Sequence, residues 1–137
     1  MNKTAKDLLA RTFNFSSRAF KFCISLKFNP EVAIIGKQLA RAATSVGANY
    51  RAARRARSRK DFMSRLAVVE EEADECVYWI SLLEANGITG AEANWLKKEA
   101  DELAAIMVAS RKTLRVHSES KPGLHHLCLD LQVLPMS

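Results

Sequence analysis

The strongest constraint in the chain is an uninterrupted apolar seam: Phe62, Leu66, Val69, Ala73, Cys76, Ile80 and Leu83 recur in alternating steps of four and three. A strand would need a period of two, whereas this rhythm keeps one stripe of a helix facing a partner helix. The same rhythm recurs three more times. It runs through Leu8, Thr12, Phe15, Ala19, Phe22 and Leu26, then Val32, Ile35, Leu39, Ala42 and Val46 on toward Asn49/Tyr50 and Ala53, and last Ala93, Leu96, Ala100, Leu103, Met107, Ser110 and Leu114. Leu9, Phe13, Phe20 and Cys23 widen the first stripe, as a helix buried on more than one side requires. Most of the Phe residues accordingly read as seam residues.

The breaks between the repeats have turn chemistry. Asn29-Pro30 stops the first helix, expected over residues 4–28, because the residue before Pro is pushed out of the helical region and Pro suits a new first turn. The second helix is expected over 31–56, with small residues crowding its middle. Gly36 and Gly47 each cost about 1 kcal/mol of helix propensity against Ala, which points to a close helix–helix approach. Ser58, followed three residues on by Asp61, resembles a capping box and marks the third start. Asn86-Gly87 is a C-cap signal, and Thr89 or Gly90 opens the fourth helix. Four long helices joined by short turns predict an all-α, antiparallel up-down-up-down four-helix bundle over residues 4–118. Residues 119–137 read as linker and C-terminal tail: mobile in the first reading, otherwise an arm packed on a neighbour or a short strand.

At 137 residues one domain is expected. Only 5 Gly and 3 Pro leave little material for the turns of an all-β fold. No apolar run approaches the roughly 20 residues of a membrane helix, and the first residues lack the apolar centre of a secretory signal. The 3 Cys (Cys23, Cys76 and Cys128) are widely spaced and read as reduced thiols in a cytoplasmic protein with no membrane partner.

The formal charge of +6 conceals a sharp division. Between Gly36 and Arg65 stand Lys37, Arg41, Arg51, Arg54, Arg55, Arg57, Arg59, Lys60 and Arg65 against Asp61 alone, whereas between Glu70 and Glu102 ten acids face Lys97 and Lys98. Arginines gathered at one corner suit phosphates, because each guanidinium donates two parallel hydrogen bonds to phosphate oxygens. Arg41, Arg51, Arg54, Arg55, Arg57, Arg59, Lys60 and Arg65 are therefore the candidate contacts to RNA or DNA. The competing reading pairs them with acids of Glu70–Asp74, within the chain or on a neighbouring copy, making the protein an interaction scaffold. Trp79 borders the third seam and reads as core or subunit interface, while Trp95 and Tyr50 are candidates for contact with a partner.

Enzyme chemistry finds no support. There is no P-loop, no GxGxxG and no HExxH. Carboxylate-bridged metal bundles need Glu-x-x-His pairs, but Leu114, Pro122 and Gly123 stand three residues before His117, His125 and His126. His125, His126 and Cys128 offer at most part of a zinc site. No catalytic residue, resident metal or cofactor is expected.

Three segments carry a family resemblance: Gln38 to Tyr50 (QLARAATSVGANY), Ala56 to Phe62 (ARSRKDF) and Glu72 to Leu83 (EADECVYWISLL), with Arg11-Thr12-Phe13 fitting the same pattern. Over roughly residues 6–115 the chain resembles the four-helix-bundle family of 23S ribosomal RNA intervening-sequence proteins, small bacterial proteins of the ribosomal S23-like kind. The resemblance implies a homopentamer, and kinship with accessory proteins of diversity-generating retroelements, which bind nucleic acid and a reverse transcriptase. Asn49, Tyr50, Ser58, Asp61 and Phe62 match its motif positions. Read from the residues themselves, Asn49 is a buried polar specifier, Asp61 a cap and Phe62 core. The chain departs from the family pattern at Ala52, where Glu is usual, and at Glu71, where Lys is common.

Overall fold

The computed structural model describes residues 3–120, which form four helices: α1 (Lys3–Ser25), α2 (Pro30–Ala53), α3 (Arg59–Ala85) and α4 (Ala91–Ser120). No strand occurs among the described residues. The expected tail from Lys121 onward, including His125, His126 and Cys128, lies outside them.

The seams are buried where the periodicity places them, except around the α1–α2 turn, where Phe22, Leu26, Val32 and Ile35 are half-buried against the core. The α3 stripe from Phe62 to Leu83 and the α4 stripe from Ala93 to Leu114 are both fully inside. Leu39, Ala42, Val46, Tyr50 and Ala53 bring in α2, and Leu8, Thr12, Phe15 and Ala19 bring in α1. Truncating one of the larger members, such as Leu66, is expected to cost about 2–5 kcal/mol from lost burial and the cavity left behind.

The turns follow their residues. Asn29 caps α2 by accepting the Val32 N–H at 3.2 Å, with Pro30 in the first turn. Ser58 caps α3 by accepting the Asp61 N–H at 3.0 Å. The return half of this capping box is displaced by one residue, since the Asp61 carboxylate accepts from the Arg57 N–H at 3.4 Å instead of from Ser58. Gly87 leaves α3 at φ +91°, a conformation that disfavours any side chain. Two helices end three residues before their expected limits. After Ser25 the chain tightens through Leu26 N–H to Cys23 O, which lets the Leu26 side chain fold back toward Gly36. After Ala53 the Arg55 and Ala56 N–H groups turn to Ala52 O and Ala53 O, opening the corner.

Cross-helix contacts establish the topology. Ser16 meets Ala43 and Gly47, Arg41 meets Glu72 and Glu75, Glu84 meets Lys97 and Glu70 meets Arg111. Arg11 meets Glu99 while Arg18, seven residues on, meets Glu92, seven residues back. Every neighbouring pair thus runs antiparallel, giving the up-down-up-down bundle. The α1–α4 edge is the most lightly packed of the four, and charged clamps close it. Arg11 donates to Glu99 at 2.7 and 2.9 Å and also reaches Glu102. Arg18 holds Glu92 at 2.9 and 3.0 Å while its guanidinium lies 3.5 Å over the Trp95 ring.

Two expectations about α1 and α2 are corrected. Phe13 and Phe20 are exposed, as is Phe28 in the following turn. They sit outside the arc that α2 and α4 cover, so α1 is less enclosed than a widened stripe suggests. Tyr50 is fully buried and belongs to the core, out of a partner's reach.

Candidate nucleic-acid interface

The α2–α3 corner owes its geometry to three local causes. α2 ends at Ala53, the Ser58 cap starts α3 five residues later, and Phe62 anchors the new helix in the core. The side chain at 51 projects from the last turn of α2, those at 55 and 57 from the corner and that at 60 from the first turn of α3. Arg51, Arg55, Arg57 and Lys60 are all exposed. Among the described residues their side chains make no ion pair.

The corner opens into a depression of about 660 Å³ lined by Ala48, Arg51, Ala52, Arg55, Arg57, Asp61 and Arg65. Its one acid is Asp61, whose carboxylate lies 3.6 Å from the Arg65 guanidinium. Ala52, at the position where the family pattern carries Glu, leaves the wall between Arg51 and Arg55 uncharged. A second depression joins Arg59 and Lys60 to Arg111 and Arg115 of α4, extending the basic surface across α3.

The eight sequence-predicted cations divide into distinct environments. Arg41 is held by Glu72 at 3.3 Å and by Glu75, and so sits in a cross-helix network away from the corner. The Arg41 hydrogen bond, aided by the Trp79 indole N–H at 3.0 Å, holds the Glu75 carboxyl below the usual carboxylate range. Arg59 is half-buried and donates to the Leu114 carbonyl at 3.1 Å, strapping α3 to the last turns of α4. Arg54 is half-buried beside Tyr50. Arg65 pairs locally with Asp61.

The motif residues are mostly structural in their contacts. Burial pushes the Tyr50 phenol up to about 12, against the opposing effect of Arg54. Asn49 is half-buried and donates to Ser45 O and Oγ at 2.9 and 2.8 Å on its own helix, so it specifies no neighbour within the chain. Ser58 and Asp61 cap, Phe62 is core, and Trp79 packs half-buried at the core's edge with its ring 5.0 Å from that of Tyr78. Trp95, expected to meet a partner, is half-buried under Arg18.

The acids of residues 70–102 are largely consumed within the chain, and by cations from elsewhere. Arg11 takes Glu99 and Glu102, Arg18 takes Glu92, Arg111 takes Glu70 and Lys97 takes Glu84. Only Arg41 of the basic group pairs with them. Sequence reasoning missed the roles of Arg11 and Arg18. Their seven-residue spacing mirrors that of Glu92 and Glu99, but matching the two sets requires the register of two helices at opposite ends of the sequence.

Among the described residues no cluster of His, Cys, Asp or Glu could hold a metal, and no helix is long and apolar enough to cross a membrane. Cys23 and Cys76 are free thiols, both pushed up by burial, Cys23 to about 12.

Residues 6–109 match the family model described as 23S rRNA-intervening sequence protein, a span that takes in the whole basic corner. Among solved structures, the chain is similar to a protein of unknown function from the S23 ribosomal protein family of Bacteroides thetaiotaomicron VPI-5482. The two are 28% identical with a TM-score of 0.72, over 77% of this chain and 98% of that one. No curated protein matches.

Proposed function

This chain belongs to the 23S rRNA-intervening sequence protein family, and from that premise and the corner's geometry we propose a non-enzymatic, cytoplasmic accessory protein that binds RNA or DNA through its arginine-rich corner. One observation carries the reading: Arg51, Arg55, Arg57 and Lys60 stand exposed together while most of the acids that could neutralise them are engaged elsewhere. Exposed guanidiniums around a shallow depression, with the Lys60 ammonium beside it, attract a phosphate backbone with little dependence on its sequence.

The competing scaffold reading has less to work with. Of the acids in Glu70–Asp74, Glu70 is held by Arg111 and Glu72 by Arg41, leaving Glu71 and Asp74 exposed. Self-assembly itself remains part of the proposal, as the homopentamer that the family resemblance implies. Its support is apolar surface at the opposite end of α2, where Phe28 is 84% and Ile34 66% exposed. An assembly would multiply the corner and add avidity to weak single contacts.

Titrating binding of structured RNA and of duplex DNA against salt tests the proposal. Four phosphate contacts per corner predict a log–log slope of about −3 to −4. Replacing Arg51, Arg55 and Arg57 by Gln should flatten that slope by about one for each contact removed. Absence of binding to either nucleic acid at low salt refutes the proposal, and loss of self-association in the triple variant favours the scaffold.

A further inference from the structure

Beside the corner, the α1–α2 face combines cations with exposed aromatic rings. Phe13 is 72% exposed and Phe20, two turns further along α1, is 50% exposed. Phe13 borders one depression with Arg51, Arg54 and Arg55, and a second with Phe20, Gly47 and Arg51. Neither depression is lined by any Asp or Glu. The floor between the rings and Arg51 is made of small residues (Ser16, Ser17, Thr44, Gly47 and Ala48), so nothing bulky covers the Phe13 ring from the α2 side.

Charge selects among the occupants for such a face. A second copy docked on it would have to bring carboxylates to Arg51, Arg54 and Arg55, yet most acids of residues 70–102 are already paired within their own chain. A continuous duplex offers phosphates to the arginines, but its bases are stacked inside and leave the rings unused. An unpaired stretch of nucleic acid supplies both halves, a flat π-face for phenylalanine and a phosphate for arginine. We propose that this face is a site for single-stranded or looped nucleic acid, with a base stacked on Phe13 and the adjoining phosphates on Arg51 and Arg55. Phe20, about 10 Å further along the helix axis, offers a second ring on the same line. The proposal rests on the corner being a nucleic-acid site and specifies its substrate class.

The test is fluorescence anisotropy at low salt on the full chain, with a labelled 12-nucleotide single strand of mixed sequence and a labelled duplex of equal length. The single strand should bind more tightly. Phe13→Leu keeps the apolar bulk, removes the ring, and should weaken single-strand binding about tenfold or more while leaving the duplex unchanged. Phe13→Trp should retain single-strand affinity and show fluorescence quenching with the single strand alone. Arg51→Gln with Arg55→Gln should weaken both ligands. Equal affinities unmoved by Phe13→Leu overturn the stacking site and leave the corner reading intact, whereas no binding of either ligand overturns both. If Phe13→Leu instead dissociates an oligomer in light scattering, the face is an interface between copies and the site is overturned.

Discussion

At the scale of single residues, Gly47 and Ser16 set how closely α1 approaches α2. The Ser16 hydroxyl donates to Ala43 O at 2.6 Å and accepts the Gly47 N–H at 3.2 Å, and a Cβ on residue 47 would fall 2.6 Å from that oxygen. Gly47→Ala gains about 1 kcal/mol of helix propensity but must displace a hydrogen-bonded side chain at a crowded crossing. We expect a net loss of about 1 kcal/mol, and Ser16→Ala in the same chain should recover most of it. Denaturant midpoints of the double-mutant cycle measure this coupling, and strict additivity would contradict it. Tyr50 makes the opposite prediction. Its hydroxyl is buried without a hydrogen-bond partner among the described residues, so Tyr50→Phe removes a desolvated polar group and should raise stability by up to about 1 kcal/mol. A marked fall in melting temperature would show that the hydroxyl has a role. The close approach at Gly47 was legible in the chain, whereas its Ser16 partner and the burial of the Tyr50 hydroxyl were not. Asn49 and Tyr50 are neighbours on a helix, and periodicity alone left open which of them faces inward.

At the scale of elements, α3 was the most legible because its seam repeats without a slip and both its caps use residues suited to them, Ser58 and Asn86-Gly87. α1 was less so. Phe13 and Phe20 are seven residues apart, as core residues would be, and hydropathy cannot distinguish a covered stripe from a bare one beside it. The charged closure of α1 against α4 gives a pH-dependent stability. The Arg18 hydrogen bond lowers the Glu92 carboxyl below its usual 4.5, and Arg41 does the same for Glu75. A depressed folded-state value stabilises above the unfolded value and is lost as pH falls through the folded one. Thermal stability should therefore hold near neutrality and decline below about pH 4.5. Glu92→Gln should melt lower at pH 7 and show a shallower decline in acid. An unchanged acid limb in scanning calorimetry would assign the pH dependence to other groups.

On the scale of the whole molecule, the basic corner was legible as a cluster in sequence, but its composition was not. Arg41 leaves it for Glu72 and Glu75, Arg59 for the Leu114 carbonyl, and the corner cations with no ion pair among the described residues are Arg51, Arg55, Arg57 and Lys60. Which arginines are spoken for depends on helix register, and composition carries no register. Ala52 provides a direct probe. Ala52→Glu would place a carboxylate on the wall between Arg51 and Arg55, with little change in helix propensity. Its affinity for nucleic acid should fall several-fold at low salt and converge with wild type at high salt, while its melting temperature stays within a degree or two. Unchanged affinity at low salt would move the contact surface elsewhere.

The antiparallel course of the helices has a practical consequence for handling the protein. Leu9 and Ala10 of α1 border the depression holding Arg51, Arg54 and Arg55, and Arg111 and Arg115 of α4 border the one holding Arg59 and Lys60. A dye or surface anchor attached near Leu9 or Arg115 will therefore crowd the very corner whose ligands it is meant to report. The Asn86–Gly90 turn lies a full α3 length away, about 40 Å at 1.5 Å per residue, and its Asn86 and Thr89 are exposed, with no positive φ to disfavour a new side chain. A cysteine or peptide epitope placed there would immobilise the molecule with its arginines facing outward.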